Sequence, residues 1–298
     1  MLPSLPLPGS KSESALPPLR RERAREPRGF RVRWRWVFLA LLLVGIGVCV
    51  KLVLDELRTS EYQARELSRL AREAQFAVEP GTSASIRFPS MGPYDTRLGY
   101  ASLPDFVARL SASGFDVASQ ARHSPRLQSL EDWGLYPVYH EKDRAGLRIV
   151  GRDGSLLFGA RYPDNVYERF EDVPQVVVDA LLFVENREVL DTTYPKRNPA
   201  VEWDRLGRAA ISQVLQVAGA DTDKAGGSTL ATQIEKFRHS PKGLTSSPVE
   251  KLRQMASASL RAYQDGENTA GARRRIVLDY VNSIPLAAAP PWGEVIGL

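Results

Sequence analysis

Cysteine and histidine are scarce in this chain of 298 residues. Cys49 is the only cysteine, so there is no disulfide framework and no cysteine metal site. His123, His140 and His239 are scattered without the H-E-x-x-H or related spacing of a zinc site, so no metal centre is expected. No glycine-rich stretch closes with Gly-Lys-Ser/Thr, which excludes a Walker A phosphate loop. Internal repeats are absent as well, so a solenoid or propeller is not expected.

The sequence does contain an ordinary apolar share of 43% and charged share of 25%, enough for a folded core. The net charge of +5 is local. Lys11, Arg20, Arg21, Arg23, Arg25, Arg28, Arg31, Arg33 and Arg35 face only Glu13, Glu22 and Glu26, and the remainder is close to neutral. Such a cluster just before an apolar run reports membrane topology rather than a nucleic-acid partner. The run is Trp36 to Val50, followed by Lys51 and Leu52-Val53-Leu54. A span needs about 20 apolar residues. Counting through Leu54, with Lys51 snorkelling and Trp34 and Trp36 at the other interface, gives one transmembrane helix. A cleaved signal peptide is the competing reading. The long basic tail and the lack of a small-x-small site before Asp55 argue against it.

The organisation follows. Residues 1–30, rich in Pro, Ser and Arg, read as a disordered basic tail on the cytoplasmic side. Residues 31–54 are the anchor. Residues 55–80 read as a helical stalk, with Leu57, Ala64, Leu67, Leu70, Ala71 and Ala74 on one side and Pro80-Gly81 as its end. Residues 82–165 read as a small α+β module. In it, Leu103 to Ala112 suits a helix, and Gly146 to Ala160 suits a hairpin turning at Asp153-Gly154. From Glu171 onward the pattern is helical, with further helices expected over 203–217, 230–237, 249–264 and 272–282.

Residues 226–236 read Gly-Gly-Ser-Thr-Leu-Ala-Thr-Gln-Ile-Glu-Lys. Two glycines free the backbone to turn N–H groups toward a ligand, Ser228 or Thr229 can cap the helix that follows, and a helix N-terminus attracts anions. An ordinary loop feeding a capped helix explains the same residues. Upstream, Glu185-Asn186-Arg187 ends an apolar helical run. Together these stretches resemble the first two motifs of glycosyltransferase family 51, the glycan-polymerising domain of class A penicillin-binding proteins, which run roughly E-D-R-x-F-x-x-H-x-G and G-G-S-T-x-T-Q-Q-x-x-K-N. Glu250-Lys251-Leu252-Arg253-Gln254 is similar to the third motif, R-K-x-x-E, and Tyr280-Val281-Asn282 to the fourth, Y-L-N. The transpeptidase motif Ser-x-x-Lys occurs nowhere. The resemblance covers about residues 170–298 and stops where the family usually continues with more helix.

The resemblance implies a mainly α, lysozyme-like glycosyltransferase domain after the anchor and the α+β module. It implies a peptidoglycan glycosyltransferase that polymerises lipid II at the bacterial inner membrane, with the main domain exported. Lipid II, the growing glycan chain, the membrane and other cell-wall synthesis proteins are the partners it implies. A divalent cation beside the pyrophosphate is compatible with it, and no other cofactor follows. Glu185 takes the place of the general base. Arg187, Gly227, Ser228, Thr229, Gln233, Lys236, Lys251 and Gln254 take substrate-binding places. The departures are Asn186 for the family Asp, Val189 for Phe, Thr232 for the first Gln of the second motif, Phe237 for its Asn, Glu250 for the Arg of the third and Gln254 for its Glu. They keep open a second reading, a degenerate relative that binds lipid II or cell-wall partners without polymerising.

Overall fold

The computed structural model describes residues 34–163, 165–203, 207, 228–291 and 293–297. The helix expected over 203–217 therefore lies almost wholly outside the described residues. The chain divides into Met1–Cys49 and Val50–Leu298.

The first unit contributes most of α1 (Trp34–Thr59), a 26-residue helix with no buried residue. It is long and apolar enough to cross a membrane, and Cys49 is a free, exposed thiol within it. The helix runs past the expected end at Leu54 because nothing in Asp55–Thr59 breaks it. Ser60, at φ 55°, ends it in a left-handed turn.

The second unit is mainly helical. α2 (Glu61–Glu73) buries Ala64, Ser68 and Ala71, the stripe read from the sequence. It packs on helices of the fold, and the span read as stalk is helical only to Glu73. Phe76–Pro80 is strand β1, paired antiparallel with β2 (Ser119–His123). β-branched and aromatic residues compete poorly for helix once Ala74 has turned the chain. Between β1 and β2 lie α3 (Pro93–Arg97) and α4 (Leu103–Ala112), the latter with the bounds expected. α5 (Pro125–Asp132) follows, capped by Ser124. The hairpin of β3 (Ala145–Val150) and β4 (Leu156–Tyr162) turns at Asp153-Gly154, with Gly154 at φ 84°.

The C-terminal helices are α6 (Gln175–Val184), α7 (Leu230–His239), α8 (Pro248–Ala262) and α9 (Ala270–Ser283). α7 lies against α8 and α9. Their shared core contains Val178, Val189, Leu230, Ile234, Ala258, Val277 and Tyr280. The last strands, β5 (Pro285–Ala289) and β6 (Gly293–Ile296), form a hairpin that the sequence pattern does not announce.

Among the contacts that join the 82–165 segment to these helices, two stand out. Leu127, Leu130 and Val138 share a cluster with Leu260 of α8. Beside it, a buried ionic network surrounds the end of α7. Glu141 Oε2 lies 3.4 Å from Arg238 Nη1, 3.1 Å from His239 Nε2 and 2.9 Å from Arg261 Nη1. His239 Nδ1 lies 2.9 Å from Asp95 Oδ1, so both ring nitrogens meet carboxylates. Arg273, the first residue of Arg273-Arg274-Arg275, is buried too. Its guanidinium donates to Thr269 Oγ1 and to the carbonyls of Asp191, Tyr194 and Arg197, pinning the 191–197 loop.

Burial opposes a charge on His239, but Glu141 and Asp95 outweigh it and raise the pKa from 6.5 to about 9. The folded value lies above the unfolded one. The stabilisation is therefore complete below about pH 6.5 and is lost as pH rises through about 9. Urea midpoints of the wild type should fall across that window, and those of His239→Gln should fall less. A wild-type midpoint independent of pH there would contradict the assignment.

Candidate active site

α6 carries apolar residues nearly throughout, and its last turn ends at Glu185, whose N–H still donates to Leu181 O at 2.9 Å. The helix stops because Asn186 turns the chain. Its buried Oδ1 accepts from Glu188 N at 3.1 Å, an Asx turn that replaces the next helical bond. Glu185 is left half-buried at the helix end.

Gln233 on α7 donates from Nε2 to Glu185 Oε2 at 2.7 Å. Tyr280 on α9 donates from its hydroxyl to Gln233 Oε1 at 3.3 Å. The three residues, far apart in sequence, form one line that ends on a carboxylate oxygen. Burial, and then the charge of Glu185, push the Tyr280 phenol up to about 12, so it stays protonated and donates. Tyr280 is also part of the core, as its place on a helix face suggests.

The Gly-Gly-Ser-Thr stretch is described from Ser228, so Gly226 and Gly227 lie outside the described residues. Thr229 is the cap of α7. Thr232 N donates to Thr229 Oγ1 at 3.2 Å, and Thr229 N to Thr232 Oγ1 at 2.9 Å. Thr229 Oγ1 also donates to Ala200 O at 3.2 Å, and the residue is buried. Its hydroxyl is therefore engaged within the fold. Ser228, half-exposed, accepts from Lys251 Nζ at 2.8 Å. Burial, and then the charge of Lys236, lower the Lys251 pKa. An ammonium bonded to a half-exposed hydroxyl, with its charge opposed by burial and by a second lysine, suits an anion.

Two candidates stand apart. Arg187 is exposed, with its guanidinium 4.2 Å above the Phe183 ring. Gln254 is fully buried. It donates from Nε2 to Ser240 Oγ and to Thr245 Oγ1, each at 2.9 Å, and Thr245 Oγ1 lies 3.1 Å from its Oε1. A neutral amide can donate and accept at once, as this position requires.

Among the described residues, Asp95, Glu141 and His239 lie close enough to share a metal ion. Arg238 and Arg261 already supply positive charge there, and both imidazole nitrogens are used, so the trio reads as an ion-paired core. A cavity of about 420 Å³ opens next to it, lined by Phe88, Tyr136, Glu250 and Arg253 among others, with none of Glu185, Gln233, Lys236 or Lys251.

Glu185, Gln233, Lys236 and Lys251 all lie in a segment that matches a known protein family. Residues 155–297 match the family model described as Transglycosylase, the peptidoglycan domain of glycosyltransferase family 51. This segment is a transglycosylase-family domain. No curated protein and no solved structure matches the chain. The family match begins inside the β3–β4 hairpin, ahead of the residue 170 at which the motif resemblance starts.

The cap makes a stability prediction. Thr229→Ala removes the hydroxyl that accepts from Thr232 N and should cost about 1 kcal/mol in a denaturation midpoint analysis, within the roughly 0.5–2 kcal/mol range of helix caps. Thr229→Ser should restore most of it. Equal stability of Thr229→Ala and wild type would show that the cap is dispensable.

Proposed function

We propose that the protein is a single-pass, membrane-anchored peptidoglycan glycosyltransferase that joins lipid II units into glycan strands. The carrying observation is the line from Tyr280 through Gln233 to Glu185, with Lys236 on α7 and Lys251 on α8, the latter bonded to Ser228 just ahead of α7. The anchor reading rests on α1 and on the arginines before it, which favour a cytoplasmic N-terminus and an exported domain at a bacterial inner membrane.

Chain extension needs a sugar hydroxyl to attack an anomeric carbon as a lipid pyrophosphate leaves. Glu185 takes the hydroxyl proton as the new bond forms, and Gln233 holds one carboxylate oxygen so that the other is oriented toward the acceptor. Lys236 and Lys251 neutralise the charge that grows on the departing diphosphate, and Ser228 fixes the Lys251 ammonium. Water is a poor substitute for such fixed donors because it must reorganise during the step.

The second reading, a relative that binds lipid II without polymerising, draws on Asn186 and Gln254. Both replace family carboxylates, and both use their amides in bonds within the fold.

Labelled lipid II incubated with the detergent-solubilised full chain separates the readings. The wild type should yield polymer. Glu185→Gln keeps shape but not basicity and should lower the rate about 100- to 10,000-fold with lipid II binding retained. Polymer from Glu185→Gln at the wild-type rate removes Glu185 from the role of base. Binding without polymer in the wild type selects the second reading.

A further inference from the structure

The β3–β4 hairpin has an unusual distribution of side chains. Alternate residues of a strand point to opposite faces, and residues paired across two strands share a face. The register pairs Ala145 with Tyr162, Leu147 with Ala160 and Ile149 with Phe158. One face of the hairpin is therefore Ala145, Leu147, Ile149, Phe158, Ala160 and Tyr162, with no polar side chain except the Tyr162 hydroxyl. The other face pairs Gly146 with Arg161 and Arg148 with Gly159, and beyond a bulge Val150 pairs with Leu156 near the turn.

The apolar face is uncovered. Leu147 is 51% exposed, Phe158 50% and Tyr162 54%, and the two strands pack chiefly on each other. A lone two-stranded hairpin is at best marginally stable in water, and contiguous exposed apolar surface of this kind marks a contact. Charge indicates what makes it. Between Ala145 and Tyr162 there are three arginines, Arg148, Arg152 and Arg161, and one acid, Asp153. Asp153 Oδ1 accepts from Ser155 at 2.7 Å. None of the three arginines has an ion pair among the described residues. An apolar face with aromatic rings, backed by arginines on the opposite face and at the turn, matches the boundary between acyl chains and anionic headgroups.

We propose that the β3–β4 hairpin lays its apolar face into the interfacial layer of an anionic lipid membrane and that Arg148, Arg152 and Arg161 bind the headgroups. The proposal rests on α1 being a membrane anchor. Tethering by α1 raises the local concentration of the surface, so a weak attraction suffices to hold the hairpin there. The contact makes the hairpin a second attachment point for the folded unit.

Environment-sensitive fluorophores on single cysteines in the full chain test this. Phe158→Cys and Ile149→Cys report the apolar face and Gly159→Cys the other, all with Cys49→Ser; a label at native Cys49 reports the anchor. The chains are reconstituted in liposomes of anionic or of zwitterionic lipid, with iodide in the water or a quencher on the acyl chains. The expected result is a blue-shifted apolar-face label, quenched from the lipid and shielded from iodide, while the Gly159→Cys label stays open to iodide. Replacing the three arginines by Gln should reduce the shift in anionic liposomes toward that in zwitterionic ones. Free iodide access to the apolar-face labels would overturn the proposal. So would shielding from both quenchers, which would mean a protein contact with a second copy or another chain. A Cys49 label open to iodide would instead refute the anchor, whereas a shielded Cys49 label with open hairpin labels refutes the hairpin contact alone.

Discussion

Glu141 at the end of α7 is the interaction on which much of the rest depends. One buried carboxylate faces Arg238, His239 and Arg261, and Asp95 closes the other side of the imidazole. Burial alone would raise the Glu141 pKa, but His239 and Arg261 more than compensate and hold it low. Glu235, one turn back on α7, has less compensation, and burial raises its pKa. Removing any one partner from such a group leaves an uncompensated charge in a medium that solvates it poorly, so the arrangement acts as a unit. It fixes the C-terminal end of α7, while the Thr229–Thr232 box fixes the start. Gln233 lies between these two fixed ends. Its aim at Glu185 is thus set by contacts at both ends of a ten-residue helix rather than by the flexible amide itself.

The departures from the family motifs have local explanations that share a pattern. Thr232, in place of a glutamine, closes the capping box. Val189, in place of a phenylalanine, is buried in the main core. Asn186 makes the turn that ends α6, and Gln254 joins Ser240 and Thr245 in a buried neutral network. Glu250, where the family has arginine, accepts from Ser246 and Tyr136. Each replacement serves the fold at its own position. The groups that remain with solvent access at the candidate site are Glu185, Gln233, Lys236 and Lys251, together with Ser228.

The sequence by itself determined the elements whose signals are local. The apolar part of α1, the helix over 103–112, the hairpin at Asp153-Gly154 and the starts of α7 and α8 follow from hydrophobic runs, caps and turn residues that act within a few positions. It also supplied the candidate base and the lysines, because their order and spacing resemble a known family. Other features needed the tertiary structure. Phe76–Pro80 is a strand only because β2, forty residues later, offers its edge. Thr229 is turned inward by Ala200, and Gln254 is enclosed by residues of the preceding loop, so neither hydroxyl nor amide is offered to solvent. Tyr280 is part of the core, and its reach to Gln233 depends on how α9 lies against α7. The ionic network joins residues 95, 141, 238, 239 and 261, and no spacing rule connects them. Local propensity acts over a turn of helix or a pair of strands. Which charge meets which across the core depends on packing, and only the folded chain decides it.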